Sequence, residues 1–150
     1  MSVDSDEHDE KGHITEDLDL RIRMVDKRLN NLERVKDESV PPELIGPDDY
    51  RYLLVCWGST FNGMKEALER INNDKVALLH LKQVYPLPQQ TTEFLSRAEK
   101  MVMIEGNATG QMAKLIKLHT GFEFEHKILK YNGLAFSVEE IVEKVKKLFD

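Results

Sequence analysis

From Tyr50 onward the sequence alternates short apolar runs with stretches of helical periodicity, and that alternation leaves few folds open to the chain. "YLLVCW" (52–57), "VALLHL" (76–81) and "KMVMIE" (100–105) are nearly unbroken apolar runs, as expected of strands covered on both faces. "FEHKILKY" (124–131) alternates apolar and polar residues instead, as an edge strand does. The stretches "FNGMKEALERI", "QTTEFLSRAE", "TGQMAKLIKLH" and "SVEEIVEKVKKLF" space their apolar residues as helices do. Pro88 is tolerable in the first turn of the second of these helices, and Gly121 stops the third. Ser137 and Glu140 form a capping box for the last. Regular strand–helix alternation with continuous apolar strands implies an α/β fold, a parallel sheet with helices on both faces. Leu53, Val55, Leu78, Leu81, Val102 and Ile104 are then core residues.

The sequence before Tyr50 divides by composition. Residues 1–14 are acidic and poor in apolar side chains, so a flexible segment is expected there. Residues 15–38 read as one amphipathic helix, capped by Thr15, with Leu18, Ile22, Val25, Leu29 and Leu32 in a narrow stripe. A stripe of that kind has to lie against something, either the following domain or another subunit. Residues 39–49 carry Pro41, Pro42, Gly46 and Pro47, which end the helix and make a linker. A short strand is weakly signalled at 43–45. Residues 50–150 form the α/β domain.

Charge and composition exclude several functions. A formal net charge of −6 opposes a general grip on nucleic acid, which needs a basic surface to replace counterions. No apolar run approaches the roughly 20 residues that cross a bilayer, and the acidic start lacks the apolar stretch of a signal peptide. With Cys56 as the single cysteine, no intrachain disulfide forms, and a reducing, cytoplasmic location is expected. Cys56 reads as a small buried hydrophobe rather than a nucleophile.

In open α/β sheets, ligands sit beyond the carboxyl ends of the strands. Two turns there present small residues ahead of helix N-termini: Gly58-Ser59-Thr60, and Gly106 to Gly110 with Asn107 and Thr109. Either could turn backbone N–H groups toward a phosphate or carboxylate. Neither is a phosphate-binding signature: no Lys follows the second glycine of "GSTFNG", and the G-x-G-x-x-G spacing is absent. The competing reading is structural. Ser59 or Thr60 caps a helix, Gly58 allows a sharp turn, and Asn107 and Thr109 offer oxygens to free N–H groups. "EHDEKGH" sets His8 and His13 among carboxylates, but without the fixed partner ligands of a zinc site. His80 and His119 fall on apolar elements and read as satisfied structural histidines, and no nucleophile–base arrangement follows from spacing.

Several segments, in order along nearly the whole chain, carry a resemblance: "SDEHDEKGHITED", "PPELIGPDDYRYLLVCWGST", "VYPLP", "IEGNATGQMAKLI" and "KYNGLAFSVEEI". They resemble the C-terminal part of the alpha subunit of 2-oxoacid:ferredoxin oxidoreductases, and the acidic stretch inclines toward the 2-oxoglutarate type. The resemblance implies a transketolase C-terminal-like domain after a long helix. That domain is a three-layer αβα sandwich on a five-stranded, mostly parallel sheet, with residues 43–45 as its antiparallel edge strand. It also implies a complex that converts a 2-oxoacid and CoA to acyl-CoA and CO2, using thiamine diphosphate, magnesium and iron–sulfur clusters and passing electrons to ferredoxin. In such complexes a pyrimidine-binding domain of the alpha subunit supplies the glutamate that activates thiamine. A Gly-Asp-Gly segment of the beta subunit, with a metal-binding asparagine, holds the diphosphate. Neither has a counterpart here, and one cysteine cannot supply a four-thiolate cluster. The expectation is therefore a non-catalytic domain that binds no cofactor itself and keeps its neighbours in register. A free-standing small-anion-binding module is the rival reading.

Overall fold

A computed structural model describes residues 6–149, which fall into two compact units, one on each side of the junction between Glu38 and Ser39. The first unit is built on α1 (Leu18–Asp37). Its N-cap is Asp17, whose side chain accepts from the N–H groups of Asp19 and Leu20 at 2.9 and 3.0 Å. Thr15, expected to hold that place, instead accepts from the Asp17 N–H at 3.2 Å. The Asp17 carboxyl group, two and three residues from the donors, meets two orphan N–H groups at once.

Residues 7–14 form a closed turn, with a bridge between His8 and Ile14 and the Asp9 carboxyl group gathering the N–H groups of Lys11 and His13. The Glu7 carboxyl group accepts from both terminal nitrogens of the Arg28 guanidinium, at 2.6 and 3.1 Å. That pairing holds Glu7 well below the usual carboxylate range, at about 2. Residues 1–5, part of the segment expected to be flexible, lie outside the described residues.

The second unit is the predicted α/β sandwich. Its five strands are β1 (Glu43–Ile45), β2 (Tyr52–Trp57), β3 (Val76–Leu81), β4 (Lys100–Glu105) and β5 (His126–Leu129), ordered β1-β3-β2-β4-β5. β1 runs antiparallel to β3 and every other pairing is parallel. The helices are α2 (Phe61–Ile71), α3 (Gln90–Ser96), α4 (Gln111–Thr120) and α5 (Val138–Phe149). Alternate residues of each strand supply opposite faces. Leu53, Val55, Leu79, Leu81 and Met103 pack with Leu95, Met112 and Ile116 of α3 and α4. Leu54, Cys56, Leu78, Val102 and Ile104 pack with Met64 and Ala67 of α2 and Ile141 and Val145 of α5. All six predicted core residues are at most 1% exposed.

Two elements are shorter than the sequence pattern suggests. The helical periodicity runs to Glu99, but α3 stops at Ser96, because the Glu99 and Lys100 N–H groups are drawn to the Arg51 carbonyl as β4 begins. β5 covers only 126–129. Phe124, at the start of the alternating run, is buried in the α3–α4 side of the core rather than paired in the ladder.

Candidate functional site

The strand ends place the two predicted turns on neighbouring elements, β2 to α2 and β4 to α4. Gly58 has φ +58°, the left-handed conformation that glycine adopts without strain, and it opens a single 3₁₀ turn over Gly58–Thr60 before α2. Neither Ser59 nor Thr60 caps α2 through its side chain. The Thr60 hydroxyl points backwards and donates to the Trp57 carbonyl at 2.7 Å, tying the turn to the end of β2. The expected cap is thus replaced by the 3₁₀ turn.

At the second turn, a residue outside the candidate set takes the central place. Glu105, the last residue of β4, is fully buried. One carboxyl oxygen accepts from the Met112 N–H at 2.9 Å and the Asn107 side-chain amide at 2.7 Å, and the other from the Ala113 N–H at 3.0 Å. Asn107 in turn accepts from the N–H groups of Thr109, Gly110 and Gln111, at 3.1, 2.8 and 3.3 Å. Asn107 therefore does the work expected of it. Thr109 does not: it is exposed and makes no side-chain cap. Gly110 has φ +63° and lies against this network, where an added Cβ would sit 3.7 Å from a Glu105 carboxyl oxygen. The five backbone N–H groups from Thr109 to Ala113 are consumed by the chain's own side chains, so the start of α4 does not offer them to a bound anion. Its sequence signal was the acidic residue closing a buried strand directly ahead of "GNATG", a place where an acidic side chain has to find donors or be costly.

A cleft of about 550 Å³ opens beside the first turn, lined among others by Ser59, Thr60, Gly106, Lys130, Leu134 and Phe136. The Lys130 ammonium is largely buried and is taken by Glu140 at 2.5 Å. Glu140 also accepts from the Ser137 N–H at 2.9 Å and completes the predicted capping box of α5. The lysine in this lining is thereby neutralised, and the cleft offers hydroxyl and main-chain groups rather than a free cation.

Sequences and solved structures most similar to the chain have one subject. An Aeropyrum pernix 2-oxoacid:ferredoxin oxidoreductase alpha subunit is 38% identical over 149 residues, which cover 93% of this chain and 23% of that protein. The 2-oxoglutarate:ferredoxin oxidoreductase of Magnetococcus marinus, solved with 2-oxoglutarate, coenzyme A and succinyl-CoA bound, superposes with a TM-score of 0.84 at 27% identity. That match covers 97% of this chain and 26% of that one. The alpha chain of a "probable 2-oxoacid ferredoxin oxidoreductase" from Thermoplasma acidophilum is 34% identical, with a TM-score of 0.50 over 71% of this chain and 95% of that one. The chain belongs to the 2-oxoacid:ferredoxin oxidoreductase alpha-subunit family. It spans about a quarter of the length of the curated relatives it matches. No family model matches it.

The remaining candidate groups are dispersed. Burial pushes the Cys56 thiol up to about 12, so Cys56 is a packing residue of the α2–α5 side and no nucleophile. His13 reaches only the Asp9 carboxyl group, at 3.3 Å, and no cluster of potential metal ligands occurs among the described residues. His119 is exposed and tilts against Tyr85.

His80, read as a satisfied core histidine, is buried but unsatisfied. It stacks on Phe61 at 4.2 Å between ring centres, and neither ring nitrogen makes a well-formed hydrogen bond, the Gly58 backbone offsetting only part of the effect of burial. Burial lowers its pKa below the ordinary 6.5. The unfolded chain then takes up this proton first, so the stability His80 permits is complete above about pH 6.5 and is lost as pH falls below it. Denaturant midpoints at pH 7.5 and 5.5 should show a larger loss for the native chain than for His80→Leu. Equal losses would mean that the imidazole is not what responds.

Membrane insertion has no support from the helices: none among the described residues is long and apolar enough to cross a bilayer.

Proposed function

We propose that this chain supplies a non-catalytic, transketolase C-terminal-like domain and its preceding helix to a 2-oxoacid:ferredoxin oxidoreductase. The whole complex would oxidatively decarboxylate a 2-oxoacid, of the 2-oxoglutarate type, to its acyl-CoA in the cytoplasm. Its partners are a pyrimidine-binding domain of the alpha subunit, a beta subunit and, through the complex, ferredoxin. The observation that carries the reading is the match itself, which takes in nearly all of this chain and a quarter of each long relative.

The donor chemistry of the chain agrees with a supporting role. One buried cysteine, with its thiol held protonated, cannot be a cluster ligand set, and the buried Glu105 carboxyl group is committed to the start of α4. On this reading thiamine diphosphate, magnesium and the clusters belong to the partners. The chain's own contribution is a rigid sheet edge, the Gly58–Thr60 turn and the cleft beside it, as one wall of a shared cavity.

The rival reading, a free-standing anion-binding module, is best placed at the Gly58–Thr60 turn, since the N–H groups from Thr109 to Ala113 are taken. The test is calorimetry and turnover on the isolated chain. Thiamine diphosphate with magnesium should give no binding heat, and 2-oxoglutarate or pyruvate with CoA should reduce no acceptor dye until the partner domain and beta subunit are added. Tight uptake of thiamine diphosphate by this chain alone would overturn the proposal. Saturable phosphate or CoA shifts at the Gly58–Thr60 amides, with no effect of partners, would favour the rival.

A further inference from the structure

The apolar stripe of α1 repeats with a 4-3-4-3 spacing: Leu18, Ile22, Val25, Leu29, Leu32. Two core positions in every seven is the seam of a two-stranded coiled coil, narrower than the face of a helix packed on a sheet. Within its own unit the helix is covered on the flank that carries Met24, Lys27 and Arg28, where Met24 is buried and the 7–14 turn is pinned by Glu7–Arg28 and Glu10–Lys27. The seam is largely open: Leu18, Ile22, Leu29 and Val25 are 74%, 59%, 57% and 38% exposed, and Leu32 is half-buried.

The charges beside the seam state which helix fits it. With Ile22 and Leu29 at the a positions and Leu18, Val25 and Leu32 at d, the e positions are Asp19, Asp26 and Glu33, all acidic. The g positions Arg21 and Arg28 are both basic. In a parallel pair, each g residue meets the e residue five places on in the other helix, so basic meets acidic throughout. In an antiparallel pair, g meets g and e meets e, so like charges meet. Arg28 is already held by Glu7 and Glu33 by Lys36, which leaves the register to Arg21 and Asp26, neither of which has an ion-pair partner of its own among the described residues.

We infer that α1 is a homotypic docking surface, on which a second copy of this chain pairs in parallel through the Leu18–Leu32 seam with Arg21 of each copy against Asp26 of the other. The seam from Leu18 to Leu32 covers just over two heptads, so the association is weak and concentration-dependent. It does not depend on the catalytic assignment of the complex.

Sedimentation equilibrium of the full chain tests it. The mass should rise toward twice that of the monomer with concentration. Arg21→Asp or Asp26→Arg alone should weaken association about tenfold, because two symmetry-related pairs become repulsive. The combined exchange of both residues should restore it. Direction is read separately with Lys36→Cys, which occupies the next a position after the seam. Two copies of that variant should oxidise to a covalent dimer, while the native chain, whose one cysteine is buried, should not. A monomer at every concentration, equal behaviour of the single and double charge variants, or failure of the Lys36→Cys variant to cross-link would each overturn the inference. Helix content measured alongside separates loss of pairing from loss of the helix.

Discussion

Replacing Glu105 with alanine should be among the most damaging single substitutions in this chain, costing about 3–5 kcal/mol of folding stability. The estimate follows from what the carboxyl group accepts. The Met112 and Ala113 N–H groups lie in the first turn of α4, where no carbonyl of the helix can reach them, and both are buried. Each buried donor left without a partner costs about 1–3 kcal/mol. The Asn107 amide, which steadies the loop that caps the next three N–H groups, loses its anchor as well. A melting temperature lower by roughly 10–15 °C is expected for a domain of this size.

Glu105→Gln should recover part of the loss and no more, since one of its two arms becomes a donor facing donors. Thr109→Ala, in the same loop, should change stability by no more than about 0.5 kcal/mol, because Thr109 is exposed and caps nothing. Chemical denaturation of the three variants settles the order. Equal effects from Glu105→Ala and Thr109→Ala would remove Glu105 from the centre of the turn.

That contrast also marks where the sequence was readable. Buried strands announce themselves by unbroken apolar runs, so β2, β3 and β4 appear at the bounds their residues suggest, and the Ser137–Glu140 box fixed the start of α5. Side-chain destinations within a turn are different. Ser59, Thr60 and Thr109 have the composition of caps, yet the hydroxyl of Thr60 finds a nearer carbonyl at Trp57, and the α4 donors are met from the strand behind them. A contact eight residues away in sequence depends on how β4 hands over to α4, which no local propensity encodes. His80 was misread for a related reason. Its place on an apolar strand was plain, but whether anything would meet its two nitrogens depended on Phe61 and the helix packed above it.

Gly46→Ala is expected to detach the edge strand, at a cost of about 2–4 kcal/mol. Gly46 follows β1 with φ +116°, a conformation outside what an L-residue adopts without strain. The strain is compounded by space. A Cβ there would stand 3.1 Å from the Val76 carbonyl oxygen and 3.2 Å from the Ala77 Cα, both backbone atoms of a central strand that cannot turn away. β1 has only three residues paired to β3, Glu43 with His80, Leu44 with Leu79 and Ile45 with Leu78, so it has little to oppose that push. The weak strand in the Pro-rich stretch is thus secured by one glycine that lets the chain turn tightly against β3. Gly58→Ala provides the control: φ is also positive, but open space surrounds the added Cβ, and the cost should stay near the roughly 1–2 kcal/mol of left-handed strain alone. Hydrogen exchange should show the difference in place as well as in size. In Gly46→Ala, protection should fall first at the amides of residues 43–45 and their β3 partners while β2 and β4 stay protected, and the exposed β3 edge should make the variant prone to associate. Unchanged protection at 43–45 would mean that the close approach at Val76 is not what holds β1 in the sheet.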